Sequence, residues 1–358
     1  MEILTKQYNK AISKIIPCLS DSSIHNIHCT LVCCLLFIAF ESILGRYAES
    51  IHHLRAGNHL LTLPILAATE KNDRITRKIK DMLSTLSVEA SGFTDDAILP
   101  DLQQSWDMDR AETTNECSSE PFQDLEQAAS ELCKLDVQFT ALANARCCEC
   151  SSDDSSSTVE SGDEVDDSSS TLESESEVDD PDDRYMDTLF EDLRRRFKNW
   201  LARFEITKRA LELQQSPHTA TEQFLYLTLA QKFWSMNLYF VTEPVFDSTA
   251  EFLDAAENLA KTIANPDYFT FSLDGSLISG LSFVVRCSEE AENRKRALTL
   301  LRSLNRREGL WDSREIAEMH EITLSFDNFK FWYDKEYSGD IPSYLAKVVK
   351  ELERIKRY

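Results

Sequence analysis

Apolar side chains recur at helical spacing along most of the chain. They stand three or four residues apart, which places them on one face of a helix and leaves polar residues on the other. The segments with this pattern are residues 31–40, 44–54, 75–86, 122–146, 189–204, 252–263, 277–286 and 289–304. Residues 224–241 are apolar on nearly every side, which predicts a central helix that is packed all round. The pattern therefore predicts an all-α protein, built as an irregular multi-helix bundle or array.

One acidic stretch interrupts this pattern. Residues 151–183 contain 14 Asp or Glu residues, no Lys or Arg, and only four isolated aliphatic residues. Such a stretch cannot bury enough apolar surface to offset the conformational entropy lost on folding, so we predict a disordered acidic linker. On this basis residues 1–150 form the N-terminal helical half of one domain, and residues 184–358 form its C-terminal helical half.

The composition agrees with long helices and excludes several classes of protein. The chain has 8 Gly and 9 Pro among 358 residues, which are too few for the tight turns of β-sandwiches or the glycine loops of nucleotide-binding folds. Its net charge of −24 opposes contact with nucleic acid or with an anionic membrane. The apolar residues 31–40 fall short of the roughly 20 that a membrane span needs. We therefore predict a buried core helix there and no membrane partner.

Closely spaced cysteines are the first candidates for a metal site. The two groups are Cys29, Cys33 and Cys34, and Cys147, Cys148 and Cys150. In the second group, adjacent cysteines rarely fit two corners of one zinc tetrahedron, and no further pair of Cys or His residues lies near. The first group lies in an apolar helix, where free cysteines pack as small hydrophobic residues. We therefore predict no metal site, and core packing for the first group.

No motif for catalysis or for cofactor binding is present. The chain lacks a P-loop, a dinucleotide-binding glycine motif, a nucleophile elbow and a kinase catalytic loop. Its clustered histidines are His25, His28, His52, His53 and His59. They lack the H-E-x-x-H arrangement, so we expect them at the surface or at helix ends. The sequence therefore predicts no enzyme activity, no catalytic residue and no cofactor.

One basic run is a candidate for nucleic-acid contact. Its members are Arg294, Lys295, Arg296, Arg302, Arg306 and Arg307. Four glutamates, Glu289, Glu290, Glu292 and Glu308, surround them. Ion pairs on a solvated helix face are therefore expected in preference to contacts with phosphates.

Residues 306–313, with the sequence RREGLWDS, read as a helix end, a Gly C-cap and a new helix that begins with Asp312 as its N-cap. The pattern to which this segment belongs also contains Leu273, Asp274, Ile278, Leu281, Val284, Arg286, Cys287, Arg296, Ala297, Leu300 and Leu301. This combination resembles the C-terminal regulatory region of fungal zinc binuclear cluster transcription factors. Residues 34–57 are similar to the helical hairpin that opens the same region, and residues 86–93 fit between the two.

The resemblance implies a nuclear, all-helical, fungal-specific transcription factor domain, of a kind linked to metabolic gene clusters and secondary metabolism. In that family the domain is joined to an N-terminal six-cysteine DNA-binding module. Residues 1–30 contain only Cys18 and Cys29, so zinc-dependent, sequence-specific DNA binding is not carried over to any residue of this chain.

The leading hypothesis is a transcription regulator that acts through protein contacts in the nucleus. Its expected partners are the transcription machinery or a related transcription factor. A dimer with such a factor is part of this expectation. The alternative is a helical metabolite-binding or scaffolding protein that is unrelated to transcription.

Overall fold

A computed structural model describes residues 2–15, 23–69, 73–91, 120–149, 181–213, 221–240, 247–263, 268–273 and 275–325. The first six helices are α1 (Glu2–Ile15), α2 (Ile24–Ile43), α3 (Tyr47–Leu61), α4 (Pro64–Thr69), α5 (Arg74–Ser91) and α6 (Leu125–Glu149). The next six are α7 (Pro181–Leu213), α8 (Glu222–Phe240), α9 (Asp247–Ile263), α10 (Leu277–Cys287), α11 (Ala291–Leu304) and α12 (Ser313–Ser325). Three short strands are β1 (Thr270–Ser272), β2 (Arg306–Glu308) and β3 (Trp311–Asp312).

The predicted all-α class is confirmed, with a small sheet that the pattern did not predict. Each segment with a helical pattern contains a helix. The predicted disordered linker of residues 151–183 is too long at its C-terminal end, because helix α7 already begins at Pro181. Residues 150–180, which hold the rest of the predicted linker, lie outside the described residues. The division into two halves of one domain stays a prediction.

Three hydrophobic clusters form the core. The first lies among α2, α3, α4 and α5 and is centred on side chains such as Leu83. The second lies among α6, α7 and α8 around Trp200, and the third fills the space among α8 to α12 around Leu281. Helix α8 belongs to both of these, because Trp234 packs in the second cluster and Leu229 in the third. This agrees with the prediction of a central helix packed all round.

The three strands connect two of these clusters. β1 runs parallel to β2 with Thr270 opposite Arg306, and β2 runs antiparallel to β3 with Glu308 opposite Trp311. In the turn between β2 and β3, Leu310 packs into the first cluster, while Trp311 packs into the third. Consecutive side chains of one short segment are thus buried in cores built from opposite ends of the chain.

Helix α2 has a buried side and an exposed side. Its N-terminus begins after Ser23, whose hydroxyl accepts a hydrogen bond from the backbone N–H of Asn26. Leu31 and Ile38 are buried in the first cluster, as predicted for a core helix. Within the described ranges, α2 is the one helix long and apolar enough to cross a membrane, although core helices of globular proteins pass the same test.

Candidate functional site

A buried ionic network lies where the sheet meets helices α3, α8, α10 and α12. We call it the junction network, and its members are Tyr47, Tyr226, Arg306, Arg307, Glu308, Asp312 and Glu315. Arg306 and Arg307 are each only 4% exposed, and Glu308 is 1% exposed. Charges buried this deeply need partners, because an unpaired charge away from water is very costly.

Glu308 is the centre of one part of the junction network. Its Oε2 accepts hydrogen bonds from the backbone N–H groups of Leu277 and Ile278, both at 3.0 Å, at the N-terminus of α10. Its Oε1 accepts a hydrogen bond from Arg306 Nε at 3.0 Å and another from the Tyr226 hydroxyl at 2.5 Å. A carboxylate at this position satisfies N–H groups that have no partner inside the helix and interacts favourably with the helix dipole.

Arg307 is the centre of the other part and connects distant regions of the chain. Its Nε and Nη2 donate to Asp312 Oδ2 at 3.2 and 2.9 Å, and Glu315 Oε1 lies 3.8 Å from Nη2. Its Nη1 donates to the backbone carbonyl of Ser42, at the end of α2. The guanidinium carbon lies 5.3 Å from the centre of the Tyr47 ring, and the Tyr47 hydroxyl donates to Glu315. Arg307 therefore fixes the α2–α3 corner against β3 and α12.

The backbone of residues 305–309 differs from the predicted helix end. Asn305, with φ of 44°, provides the left-handed C-cap of α11. Gly309 was predicted to be that cap, but it lies four residues further on, in the turn between β2 and β3, with φ of 52°. A Cβ at Gly309 would also overlap the carboxylate of Glu89 on α5. Glycine is therefore required there by both backbone conformation and space.

The predicted start of the following helix is confirmed. Asp312 Oδ1 accepts hydrogen bonds from the backbone N–H groups of Arg314 and Glu315, at 3.0 and 3.1 Å. One carboxylate therefore caps α12 with one oxygen and binds Arg307 with the other. Nearby, Gly275 lets Glu308 approach α10, because a Cβ at that position would overlap the Glu308 carboxyl group.

The electrostatics of the junction network favour a structural role. Burial raises the pKa of Tyr226, as does the neighbouring charge of Glu308, and burial likewise raises the pKa of Tyr47. Both hydroxyls therefore stay protonated and serve as hydrogen-bond donors to carboxylates. The Glu308 carboxylate is occupied by arginine, tyrosine and backbone donors. Such an arrangement holds elements together and leaves no carboxylate oxygen of Glu308 open to a substrate.

A buried serine and histidine form a second candidate that the sequence did not indicate. Ser282 Oγ of α10 lies 2.8 Å from His320 Nε2 of α12. A catalytic pair needs a serine open to substrate and a histidine that takes up a proton near neutral pH. Both residues are buried, and burial lowers the pKa of His320 to about 4. The pair therefore serves to join two helices in the third cluster.

The cysteine predictions are confirmed in part. Cys34 is buried, as expected, and burial raises the pKa of its thiol to about 11. Cys29 is exposed, so the prediction that it packs in the core is wrong. The reason is that α2 turns only one side to the core, and Cys29 lies on the other. The side chains of residues 147–150 lie outside those that the structure describes.

Two of the five histidines are more buried than predicted. The three that are exposed are His25, His52 and His59. His28 lies against α5, where its Nε2 is 2.7 Å from Thr76 Oγ1 and 3.1 Å from an Asp73 carboxylate oxygen. His53 lies 3.0 Å from the Tyr8 hydroxyl, and burial lowers its pKa. These two histidines connect helices within the N-terminal region.

Carboxylates pair with four residues of the basic run, Arg296, Arg302, Arg306 and Arg307, as predicted, but most of the partners differ. Arg296 contacts Glu257 at 2.5 Å and Asp254 at 2.6 Å, both on α9, and Arg302 pairs with Glu321 on α12. The sequence pointed instead to glutamates close to the run. Most partners come from neighbouring helices, because α11 packs between α9 and α12.

The prediction of a solvated helix face is wrong for the end of the basic run. Arg306 and Arg307 lie in β2 and are buried. A pattern that assigns charged residues to the surface cannot show this, because their partners Tyr226, Ser42 and Tyr47 are distant in sequence.

Among the residues that the structure describes, no three His, Cys, Asp or Glu side chains are placed to hold a metal ion. No protein-family model, curated protein or solved structure matches this chain.

Proposed function

We propose that this chain is a helical regulatory domain, of the type found in fungal zinc-cluster transcription factors, that acts through protein contacts. The observation that carries the proposal concerns the RREGLWDS segment on which the resemblance depends. That segment supplies most of the junction network and packs Leu310 and Trp311 into two different cores. The residues of the segment are therefore ones that this helical architecture requires. The resemblance then supports an architecture shared with that family in preference to a shared active site.

The charges favour protein contacts over DNA contacts. Arg296 and Arg302 are paired with carboxylates of neighbouring helices, and Arg306 and Arg307 are buried. These four arginines thus present little positive charge to a phosphate backbone. The chain as a whole carries a net charge of −24, which opposes DNA further. A nuclear location and a role in a metabolic gene cluster form part of this proposal.

We expect the full chain, fused to a heterologous DNA-binding domain, to change the output of a reporter gene. The reason is that a regulatory domain needs a partner to bring it to DNA and then acts on other proteins. The measurement compares the fusion with the DNA-binding domain alone. A Glu308→Ala fusion is the control for a disrupted fold and should lose the effect.

Two results contradict the proposal. The first is preferential binding of one genomic sequence by the chain alone, in a polarisation titration at physiological salt. The second is an unchanged reporter together with a metabolite that raises the melting temperature, because stabilisation by a ligand would favour the metabolite-binding alternative.

A further inference from the structure

A histidine and a cysteine meet near the N-terminus of helix α2. His25 and Cys29 stand at positions i and i+4, which places both side chains on the same face of the helix. Cys29 Sγ lies 3.8 Å from His25 Nε2, and both residues are exposed. On the opposite face, Ile27 and Leu31 are buried in the first cluster. The pair is therefore carried by a helix that is anchored to the core, with both side chains open to solvent.

The accessibility of Cys29 distinguishes it from the other cysteines. Of the cysteines whose side chains the structure describes, Cys29 is the one that is exposed. Burial raises the pKa of the Cys34 thiol to about 11 and that of the Cys133 thiol to about 12. These two thiols therefore do not readily form the thiolate that binds a metal ion. Cys29 is the thiol of this set that an ion in solution reaches first.

The distance between the two ligating atoms suits one shared metal ion. Zinc, which is close to copper in size, bonds imidazole nitrogen at about 2.0–2.1 Å and thiolate sulfur at about 2.3 Å. One ion can therefore bridge a nitrogen and a sulfur that lie up to about 4.4 Å apart. The 3.8 Å between Cys29 Sγ and His25 Nε2 is within that limit. Two ligands at positions i and i+4 are also the arrangement by which H-E-x-x-H helices hold one ion.

The number and the charge of the ligands select the metal. Among the described residues, no third His, Cys, Asp or Glu side chain is placed to complete the site. Zinc takes three or four protein ligands, whereas copper(I), a soft ion that thiolates favour, is stable with two. Copper(I) with one thiolate and one neutral imidazole has no net charge. This suits residues 24–40, which contain no Asp, Glu, Lys or Arg.

We propose that His25 and Cys29 together bind one copper(I) ion. The ion takes the place of the hydrogen atom that the thiol and the imidazole share, with one bond to Sγ and one to Nε2. The thiol of Cys29 gives its proton to the solvent, so each copper(I) ion bound releases one proton and no electron is transferred. The inference is independent of the proposed function.

The test is a titration of the full chain with copper(I) under nitrogen, in competition with a coloured copper(I) chelator. Other thiols would compete for the ion, above all the closely spaced Cys147, Cys148 and Cys150. These three are therefore replaced by Ser in every chain that is compared. We expect one tightly bound copper(I) ion per chain, and X-ray absorption should show one sulfur and one nitrogen bonded to it.

Single substitutions identify the two ligands. Cys29→Ser should abolish binding, and His25→Gln should weaken it about tenfold or more. Two controls should leave it unchanged. His59→Gln removes another exposed histidine, and Cys33→Ser removes the half-buried thiol one turn after Cys29. Melting temperatures show whether each variant is folded.

Four results overturn the inference. The first is that the chain binds no copper(I), and the second is that His25→Gln has no more effect than His59→Gln. The third is a copper ion with two sulfur neighbours that is lost in Cys33→Ser, which would indicate a pair of thiolates. The fourth is displacement of the copper by an equal concentration of zinc, which would contradict the choice of metal.

Discussion

Replacing Glu308 by Ala should lower the free energy of unfolding by about 3–5 kcal/mol, the cost typical of breaking a buried ion pair from one side. The substitution leaves Arg306 buried without its nearest carboxylate, because Arg306 Nε donates to Glu308 Oε1. It also removes the acceptor for the backbone N–H groups of Leu277 and Ile278 and for the Tyr226 hydroxyl. Urea denaturation followed by circular dichroism measures the loss.

An exposed ion pair provides the matched control. Arg302 and Glu321 pair at the surface, and each is more than one-third exposed. Arg302→Ala should therefore cost less than about 1 kcal/mol. Equal costs for Arg302→Ala and Glu308→Ala would show that the junction network contributes no more than a surface pair does.

The contribution of Asp136 to the stability of the protein should fall as the pH rises from about 4 to about 7, so Asp136→Asn should become more stable relative to the parent chain over this range. Asp136 lies in α6 beside Trp234, and its Oδ1 is buried without a hydrogen-bond partner among the described residues. Burial raises the pKa of this carboxyl group to about 7, although a hydrogen bond from Trp234 lowers it in part.

The sign follows from comparing the two states. The pKa of Asp136 is about 7 in the folded state and about 3.9 in an unfolded chain. The folded protein therefore holds the proton of Asp136 more tightly, and the contribution of this group to stability is greatest below the unfolded pKa. As the pH rises past about 7 the penalty reaches its full size, of order 4 kcal/mol at most. Denaturation at about pH 5 and about pH 8 measures it for both chains.

His320 provides an internal comparison, because its effect has the opposite sign. Burial lowers its pKa to about 4, so stability is lost as the pH falls from about 6.5 through about 4. Asp136→Asn should leave this acid loss in place and remove the opposing contribution of Asp136, so the variant should gain stability relative to the parent chain as the pH rises from about 4 to about 7. A variant that follows the parent chain at every pH would show that folding does not raise the pKa of Asp136.

The helices could be predicted from the sequence because their signal is local. A stripe such as that of α6 is visible within one segment, and so is the C-terminal stop of α9. The sheet could not be predicted in the same way, because its strands contain only two or three residues. Strands this short are too brief to show an alternation of apolar and polar residues. They form only because α10 and α11 bring β1 and β2 together.

The junction network was visible in the sequence only in part. The capping role of Asp312 could be predicted, because the cap and the helix that it starts are adjacent. The burial of Arg306 and Arg307 could not, since a charged residue becomes tolerable in a core only when its partners are known. Those partners include Tyr226 on α8 and Tyr47 on α3, which no local pattern connects to β2.

The contact of Arg307 with the α2–α3 corner makes the junction network one connection between the two helical halves. The second cluster, in which α6 packs against α7 and α8, is another. The direct test is to insert a site-specific protease sequence within residues 151–183, cleave the folded full chain, and apply it to a size-exclusion column. We expect the two fragments to elute together and to unfold in one transition. We also expect Arg307→Ala, which removes the contacts with Ser42 and Tyr47, to weaken their association. Fragments that separate after cleavage, each with its own cooperative unfolding transition, would contradict this and show two independent domains.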